Sequence, residues 1–226
     1  GLATRLKPIS KTTPKSLIQI NDIPFVLYQL ELLRKNKINR VHFCLGYLGE
    51  MVEEIINKSM YMKSMEITFS YDGMTPLGTG GAVKKALNYL TDNFFVMYGD
   101  SYLDINYLNV LNFFNKTSSE KDGLMTIYKN NKKFDTSNVI FEENKIIKYS
   151  KTDLSDHMNY IDYGLGILRK EYFNIYDDKK KFDLSIIYED LSRNSILLGY
   201  ESYSRFYEIG SLNGIKDFKN YINNKL

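Results

Sequence analysis

Short apolar runs alternate with amphipathic stretches through the first half of this chain, and that alternation restricts its fold more than any other feature. "RVHFCLG" (40–46) is an apolar run bounded by turn residues, "LGEMVEEIINK" is amphipathic, and "MEITFSY" (65–71) alternates as a strand does. A helix is expected after the glycines of "PLGTGGAVKKALNYL". "NFFVMYGD" (93–100) reads as a buried strand ending in Gly-Asp, and "NYLNVLNFFNK" as the helix that follows it. Upstream, Asn21 and Asp22 are positioned to cap a helix with Pro24 in its first turn, placing Phe25, Leu27, Leu30 and Leu33 near one face. Strand–helix repetition of this kind predicts βαβ units, with helices over both faces of a central sheet.

Beyond residue 120 the pattern changes to strand-rich segments, "GLMTIYK", "NVIFEE", "KIIKYS" and "YIDYGLGIL", with "EENK" as a hairpin turn. Two helices, near 184–196 and 211–224, bracket "LLGYESYSRFYEIG". There is no internal repeat, low-complexity linker or strong boundary, so 1–226 reads as one domain. The expected class is α/β: a Rossmann-like, mostly parallel mixed sheet flanked by helices.

Composition narrows the function. The 226 residues are 43% apolar, enough for a substantial core, and the net charge of +3 comes from interleaved Lys, Arg, Asp and Glu. That argues against a nucleic-acid partner. The basic run "DDKKKFD" (177–183) sits beside acids and reads as a solvated loop. Cys44 is the sole cysteine, placed in a buried strand; it permits neither an intramolecular disulfide nor a multi-thiolate metal site and fits a reducing compartment. No apolar run approaches the roughly 18 residues of a membrane span and no signal peptide is visible, so no membrane association and a cytoplasmic location are expected. Of the two histidines, His42 reads as a packed or hydrogen-bonded strand residue and His157 as a polar loop residue. Neither is assigned to catalysis. Nineteen Tyr and thirteen Phe read as packing in a chain without Trp.

In open α/β sheets ligands lie outside the carboxyl ends of the parallel strands, and the unusual polar segments of this chain follow strands. "GLATRLKPISKTTPKSL" has a glycine turn flanked by Arg5 and Lys15, a bidentate fork and a mobile point charge that together suit a polyphosphate. Gly78, Gly80 and Gly81 surround Thr79 in "PLGTGGA", where a backbone without side chains can approach a flat ligand or simply lead into a helix. Asp100 emerges at a strand end, where it could hold Mg²⁺ with phosphate oxygens or cap a helix. Glu208, between aromatic and apolar residues in "RFYEIGS", is an acid that needs a partner or a cation.

Taken together these residues resemble the sugar-1-phosphate nucleotidyltransferases, the pyrophosphorylases that make nucleotide sugars. The likeness rests on "GLATRLKPISKTTPK", "PLGTGGA" and "YGDS" in the same order, and it covers nearly the whole chain. It implies that nucleotidyl transfer from a nucleoside triphosphate to a sugar 1-phosphate releases pyrophosphate. Residues 1–120 would form the nucleotide half and 121–226 the sugar-phosphate half. Gly1, Leu2, Ala3, Thr4 and Arg5 would hold the triphosphate with Lys15; Gly78, Thr79 and Gly80 would face the base. Asp100 and Glu208 would bind Mg²⁺. Lys151, Asp162 and Gly164 would meet the sugar phosphate. The family loop follows a strand, so a strand is expected upstream of Gly1. Ala3 stands where the family commonly has Gly, Ser150 where it has Glu, Asp162 where it has Asn, and Glu208 where it has Asp. The glycine-rich segment is similar to that of mannose- and heptose-type guanylyltransferases, which favours GTP. Self-association is left open. Two other readings remain: a non-catalytic nucleotide-sugar-binding subunit of the same fold, and a metal-dependent glycosyltransferase using Asp100 and Asp104.

Overall fold

A computed structural model describes residues 12–117, 121–177 and 181–225. In chain order the elements are β1 (Gln19–Ile20), β2 (Ile23–Pro24), α1 (Phe25–Lys35), β3 (Arg40–Leu45), α2 (Gly49–Asn57), β4 (Glu66–Tyr71), α3 (Gly78–Ala86), β5 (Asn93–Met97), β6 (Ser101–Tyr102) and α4 (Tyr107–Thr117). They continue with β7 (Gly123–Lys129), β8 (Val139–Glu142), β9 (Lys145–Tyr149), β10 (Tyr160–Arg169), α5 (Leu184–Arg193), β11 (Leu197–Ser202), β12 (Tyr207–Glu208) and α6 (Leu212–Asn223). The chain divides into two compact units. The first holds residues up to 76 together with 99–102 and 207–226; the second holds 77–98 and 103–206.

In the first unit, β3 and β4 pair in parallel, as the strand–helix–strand pattern predicts. Arg40, His42 and Cys44 share one face of β3, and Cys44 is exposed, contrary to the buried placement expected of it. Alternation places its thiol on the same face of the strand as Arg40 and His42. The His42 ring bridges to β4 through Thr68 Oγ1 and Ser70 Oγ, each at 2.8 Å, and burial lowers its pKa. It is a structural neutral imidazole.

The helix expected after residue 22 is present, but its start differs. Asn21 and Asp22 adopt φ of 48° and 61° and form the two-residue turn that pairs Ile20 with Ile23. Two successive positive φ angles suit a type I′ hairpin, which Asn and Asp tolerate. They are therefore unavailable as caps, and α1 begins after Pro24 without a side-chain cap. Its buried face is Phe25, Val26, Gln29, Leu30, Leu32 and Leu33, whereas Leu27 is half-buried.

Aromatic rings bind the C-terminal helix into this unit. Phe218 of α6 packs edge-on against Phe25 at 5.1 Å and lies 4.8 Å from Tyr102, while Tyr207 stacks on Tyr221 at 4.2 Å. Phe25 and Phe218, both fully buried, each contribute about 1.5–3 kcal/mol. The cluster fixes β6 beside β12, with Ser101 opposite Glu208 and Tyr102 opposite Tyr207.

The second unit is built on a six-stranded sheet in the order β5-β10-β7-β11-β9-β8. Its pairings correct the expectation of a mostly parallel sheet: β7–β11 is parallel and the other described pairs in it are antiparallel. The cause is β10, an almost wholly buried ten-residue strand that runs antiparallel to both β5 and β7. Hydrophobic pattern sets which face is buried but not strand direction. The "EENK" hairpin forms as expected, with Glu143 and Asn144 at φ of 46° and 63° between β8 and β9. Helix α5 packs its buried Leu184, Ile187, Tyr188 and Leu191 into the core of this unit, with Met125, Ile127, Ile146 and Leu197.

Candidate active site

In the first unit three of the expected site residues come together. Pro14 leads into a single 3₁₀ turn, Lys15–Leu17, anchored by the buried Leu17. That turn presents Lys15, whose Nζ lies 3.1 Å from Asp100 Oδ2, both side chains being partly exposed. Asp100 immediately precedes β6. Its carbonyl accepts from the Ile209 N–H at 3.0 Å, and the next carbonyl, of Ser101, accepts from the buried Gln29 side chain at 2.8 Å. The carboxylate is thus held on a backbone fixed from two sides.

Glu208, at the end of β12, turns back onto the start of α6. Its Oε2 accepts from the Gly210 N–H and its Oε1 from Ser211 Oγ, each at 2.5 Å, while Ser211 Oγ caps α6 by accepting from Gly214 N–H at 2.9 Å. A carboxylate there is also favoured by the helix dipole. Gly210 occupies the centre of the group: a Cβ added to it would stand 2.8 Å from Glu208 Oε2 and 3.4 Å from both Asp100 Oδ2 and Lys15 Nζ. The local chemistry suits a hard divalent cation, since Mg²⁺ takes one or two carboxylates and completes its shell with waters and phosphate oxygens. Among the described residues no group of three or more His, Cys, Asp or Glu could hold a metal. Asp100 has the freer carboxylate of the two.

The second unit carries the other expected residues. Asp162 and Gly164 lie where the β10–β7 register shifts, and Gly164 takes φ of 95°, a conformation that favours glycine. Asp162 Oδ1 accepts from the Gly164 N–H at 2.8 Å, and the Asp162 N–H donates to Asn138 Oδ1 at 3.0 Å. Burial pushes the Asp162 pKa up to about 6, against the opposing pull of the Gly164 N–H and the Lys151 charge. Lys151 Nζ lies 3.3 Å from Asp183 Oδ1 and 5.7 Å from the centre of the Tyr98 ring.

Two residues outside the expected set hold Lys151, one capping α5 and one within it. Asp183 is the N-cap of that helix, accepting from the Ser185 N–H at 2.9 Å. Glu189 Oε1 accepts from Ser150 Oγ at 3.2 Å and from the Lys151 N–H at 3.4 Å. Asp183 closes the run read as a solvated loop; Asp177, Lys181 and Asp183 are exposed as that reading expects, whereas Phe182, 8% exposed, is buried. The D-L-S-I-I pattern carries a helix-cap signal that could have identified Asp183, whereas nothing local marks Glu189.

Gly78, Thr79 and Gly80 are packed against the same region. The Gly80 N–H donates to Phe182 carbonyl at 3.0 Å, and Thr79 Oγ1 accepts from the Leu184 N–H at 2.8 Å. A Cβ on Gly80 would fall 2.3 Å from the Phe182 ring. The described contacts of these glycines are thus to protein. Gly1, Leu2, Ala3, Thr4 and Arg5 lie outside the described residues.

The raised Asp162 pKa has a consequence for stability. Between about pH 4 and 6 the folded chain keeps a proton that the unfolded chain has released, so stability falls as pH rises through that window. A shift of two units corresponds to roughly 3 kcal/mol as an upper bound; partial solvent contact reduces the expected effect to about 1–2 kcal/mol. Asp162→Asn keeps the acceptor for Gly164 and is expected to be more stable than wild type at pH 8, with the gap closing by pH 4. Urea denaturation at the two pH values measures it, and an equal gap at both contradicts it.

Comparison with known proteins gives the family. The Nucleotidyl transferase family model matches residues 1–194. The chain belongs to that family. Among curated relatives, D-glycero-alpha-D-manno-heptose 1-phosphate guanylyltransferase of Campylobacter jejuni is 28% identical over 80% of this chain and 78% of its own length. The enzyme of the same name from Aneurinibacillus thermoaerophilus is 28% identical over 93% of this chain and 90% of its own. The match to mannose-1-phosphate guanylyltransferase catalytic subunit beta of Danio rerio spans only 32% of that protein. In fold, this nucleotidyl transferase superimposes on HddC from Yersinia pseudotuberculosis, crystallised with GMP-PN, with a TM-score of 0.80 at 24% identity, over 98% of this chain and 96% of that one. The α/β class with a mixed sheet follows from that likeness. No helix among the described residues is long and apolar enough to cross a membrane.

Proposed function

We propose that this nucleotidyl transferase moves a guanylyl group from GTP to a manno-configured sugar 1-phosphate, yielding a nucleotide sugar and pyrophosphate. The observation that supports this most is the meeting of Lys15 and Asp100, 85 residues apart in sequence and 3.1 Å apart in space. A cation and a carboxylate on rigid backbone suit a metal-bound polyphosphate. Family membership, and relatives named as guanylyltransferases, support the reaction class and the base.

In the proposed reaction an oxygen of the sugar phosphate attacks the α-phosphorus, forming a new P–O bond as the bond to the β-phosphate oxygen breaks in line with it. The electron pair leaves with pyrophosphate. The acceptor phosphate is already ionised, so no side chain need remove a proton. What the chain supplies is position and charge. Lys15 and Arg5 neutralise the triphosphate with the backbone of Gly1, Leu2, Ala3 and Thr4. Lys151 holds the acceptor phosphate, with Asp162 and Gly164 beside the sugar. Gly78, Thr79 and Gly80 border the base, kept rigid by their fit to Phe182. Asp100 would hold Mg²⁺ directly, with Glu208 behind it; the cation would offset negative charge on the phosphate oxygens. Residues 1–120 thereby serve the nucleotide and 121–226 the sugar phosphate within one domain. The expected setting is nucleotide-sugar biosynthesis in the cytoplasm.

Pyrophosphate release tests the proposal, with GTP, dTTP, UTP and CTP offered against mannose, heptose and glucose 1-phosphates. The expected result is release with GTP and a manno-configured acceptor, abolished by EDTA and restored by excess Mg²⁺. Silence across the panel accompanied by tight nucleotide-sugar binding would identify a non-catalytic subunit instead.

A further inference from the structure

Lys151 is held separately by its main chain and by its side chain. Its N–H donates to Glu189 Oε1 at 3.4 Å, and the hydroxyl of the buried Ser150 before it donates to the same oxygen at 3.2 Å. That hydroxyl also accepts from the Thr152 and Asp153 N–H groups, at 3.3 and 3.0 Å. The backbone here is therefore fixed without help from the lysine ammonium. The ammonium instead lies 3.3 Å from Asp183 Oδ1, with 44% of the Lys151 side chain and 49% of the Asp183 side chain exposed. Such a pair is within reach of a ligand, and it adds little to stability. Asp183 does not depend on it for its place, because the same oxygen accepts from the Ser185 N–H at 2.9 Å and caps α5. Burial works to raise the Asp183 pKa, but the Ser185 N–H and the Lys151 charge outweigh it, so the carboxyl is ionised at neutral pH.

We propose that Asp183 is an internal competitor of the acceptor phosphate for the Lys151 ammonium and so sets how tightly the sugar phosphate binds. This rests on the role proposed above for Lys151 and goes beyond it in naming the group that tunes that role. An ammonium with a carboxylate 3.3 Å away presents little net charge to an incoming phosphate. Binding the acceptor then requires the ion pair to break, or the ammonium to share its three N–H donors between two anions. The flexible four-carbon stem of lysine lets the ammonium pass from one anion to the other, while Glu189 keeps the main chain in place. Asp183 therefore acts as a brake on acceptor affinity. Removing its charge frees the cation without unfastening the residue that carries it.

Asp183→Asn removes the charge and keeps an oxygen for the Ser185 N–H, since Asn caps a helix about as well as Asp. Asp183→Ser, a second uncharged cap, guards against a fault peculiar to the amide. Initial rates are measured with mannose 1-phosphate, or the panel acceptor that wild type uses fastest, varied at saturating nucleotide, and the reverse. Both variants are expected to lower the sugar-phosphate KM about 2- to 5-fold, the range open to an exposed ion pair, with the nucleotide KM unmoved. The difference from wild type should shrink as salt is raised from about 0.05 to 0.5 M, which a purely structural effect would not do. In a Lys151→Gln background, itself expected to raise the sugar-phosphate KM, Asp183→Asn should have little further effect. A KM that stays the same or rises in both uncharged variants, or that falls as far in the Lys151→Gln background, overturns the competition while leaving the reaction standing. A Lys151→Gln enzyme with wild-type KM, or an inactive wild type, overturns the underlying reading as well.

Discussion

Asp100→Asn is expected to lower turnover by about 10²–10³-fold or more, the usual range for losing a group that stabilises charge in the transition state. The amide keeps the size of the side chain but brings no charge, so it neither holds a divalent cation well nor balances Lys15. Folding should change by less than about 1 kcal/mol, because the ion pair is partly exposed and such pairs contribute little. The backbone bonds that fix this position, from Ile209 N–H to the Asp100 carbonyl and from Gln29 to the Ser101 carbonyl, do not involve the carboxylate. Turnover and the urea midpoint, measured on the same preparation, separate the two effects. A variant retaining half of wild-type turnover would remove Asp100 from the machinery.

Gly78→Ala should be the most destabilising of the small substitutions in the glycine-rich segment, at about 2–5 kcal/mol. Gly78 has φ of 76°, and an added Cβ would sit 2.3 Å from the Phe182 carbonyl oxygen and 2.9 Å from its carbon. A left-handed alanine costs roughly 1–2 kcal/mol and overpacking a further 1–3. The obstruction is backbone, which cannot rotate aside, and shifting it disturbs the bonds from the Gly80 and Gly81 N–H groups to the same carbonyl. Gly99→Ala is the matched control: nothing lies within 4 Å of its added Cβ, and a change below about 0.5 kcal/mol is expected. Chemical denaturation of the two variants checks the contrast, and equal losses would show that the close fit to Phe182 is not the cause.

These residues also show what one sequence can and cannot disclose. The helices, the β8–β9 turn and the strand positions were legible because period and turn chemistry are local. The direction of β10 was not, since an apolar run reads the same either way. Asn21 and Asp22 suit both a helix cap and a tight turn, and only tertiary pairing selects the turn. Asp100 stood out as an acid at a strand end, Glu208 as an acid among aromatic and apolar residues and Lys151 through the family resemblance, but the commitment of Glu208 to the start of α6 depends on how a short loop folds. Glu189 left no trace. It reads like any helical acid, and its bonds to Ser150 and Lys151 exist only in three dimensions.

The several bonds converging on α5 have a consequence for how selectivity can change. Thr79 is tied to its first residue, the Lys151 ammonium to its cap, and the Lys151 main chain to its second turn. The segments proposed to border the base and to hold the acceptor therefore share one rigid ruler. On those proposed roles, altering the helix's seating would retune preferences for both substrates at once, whereas a lineage refining only its acceptor has to work through residues that α5 does not hold.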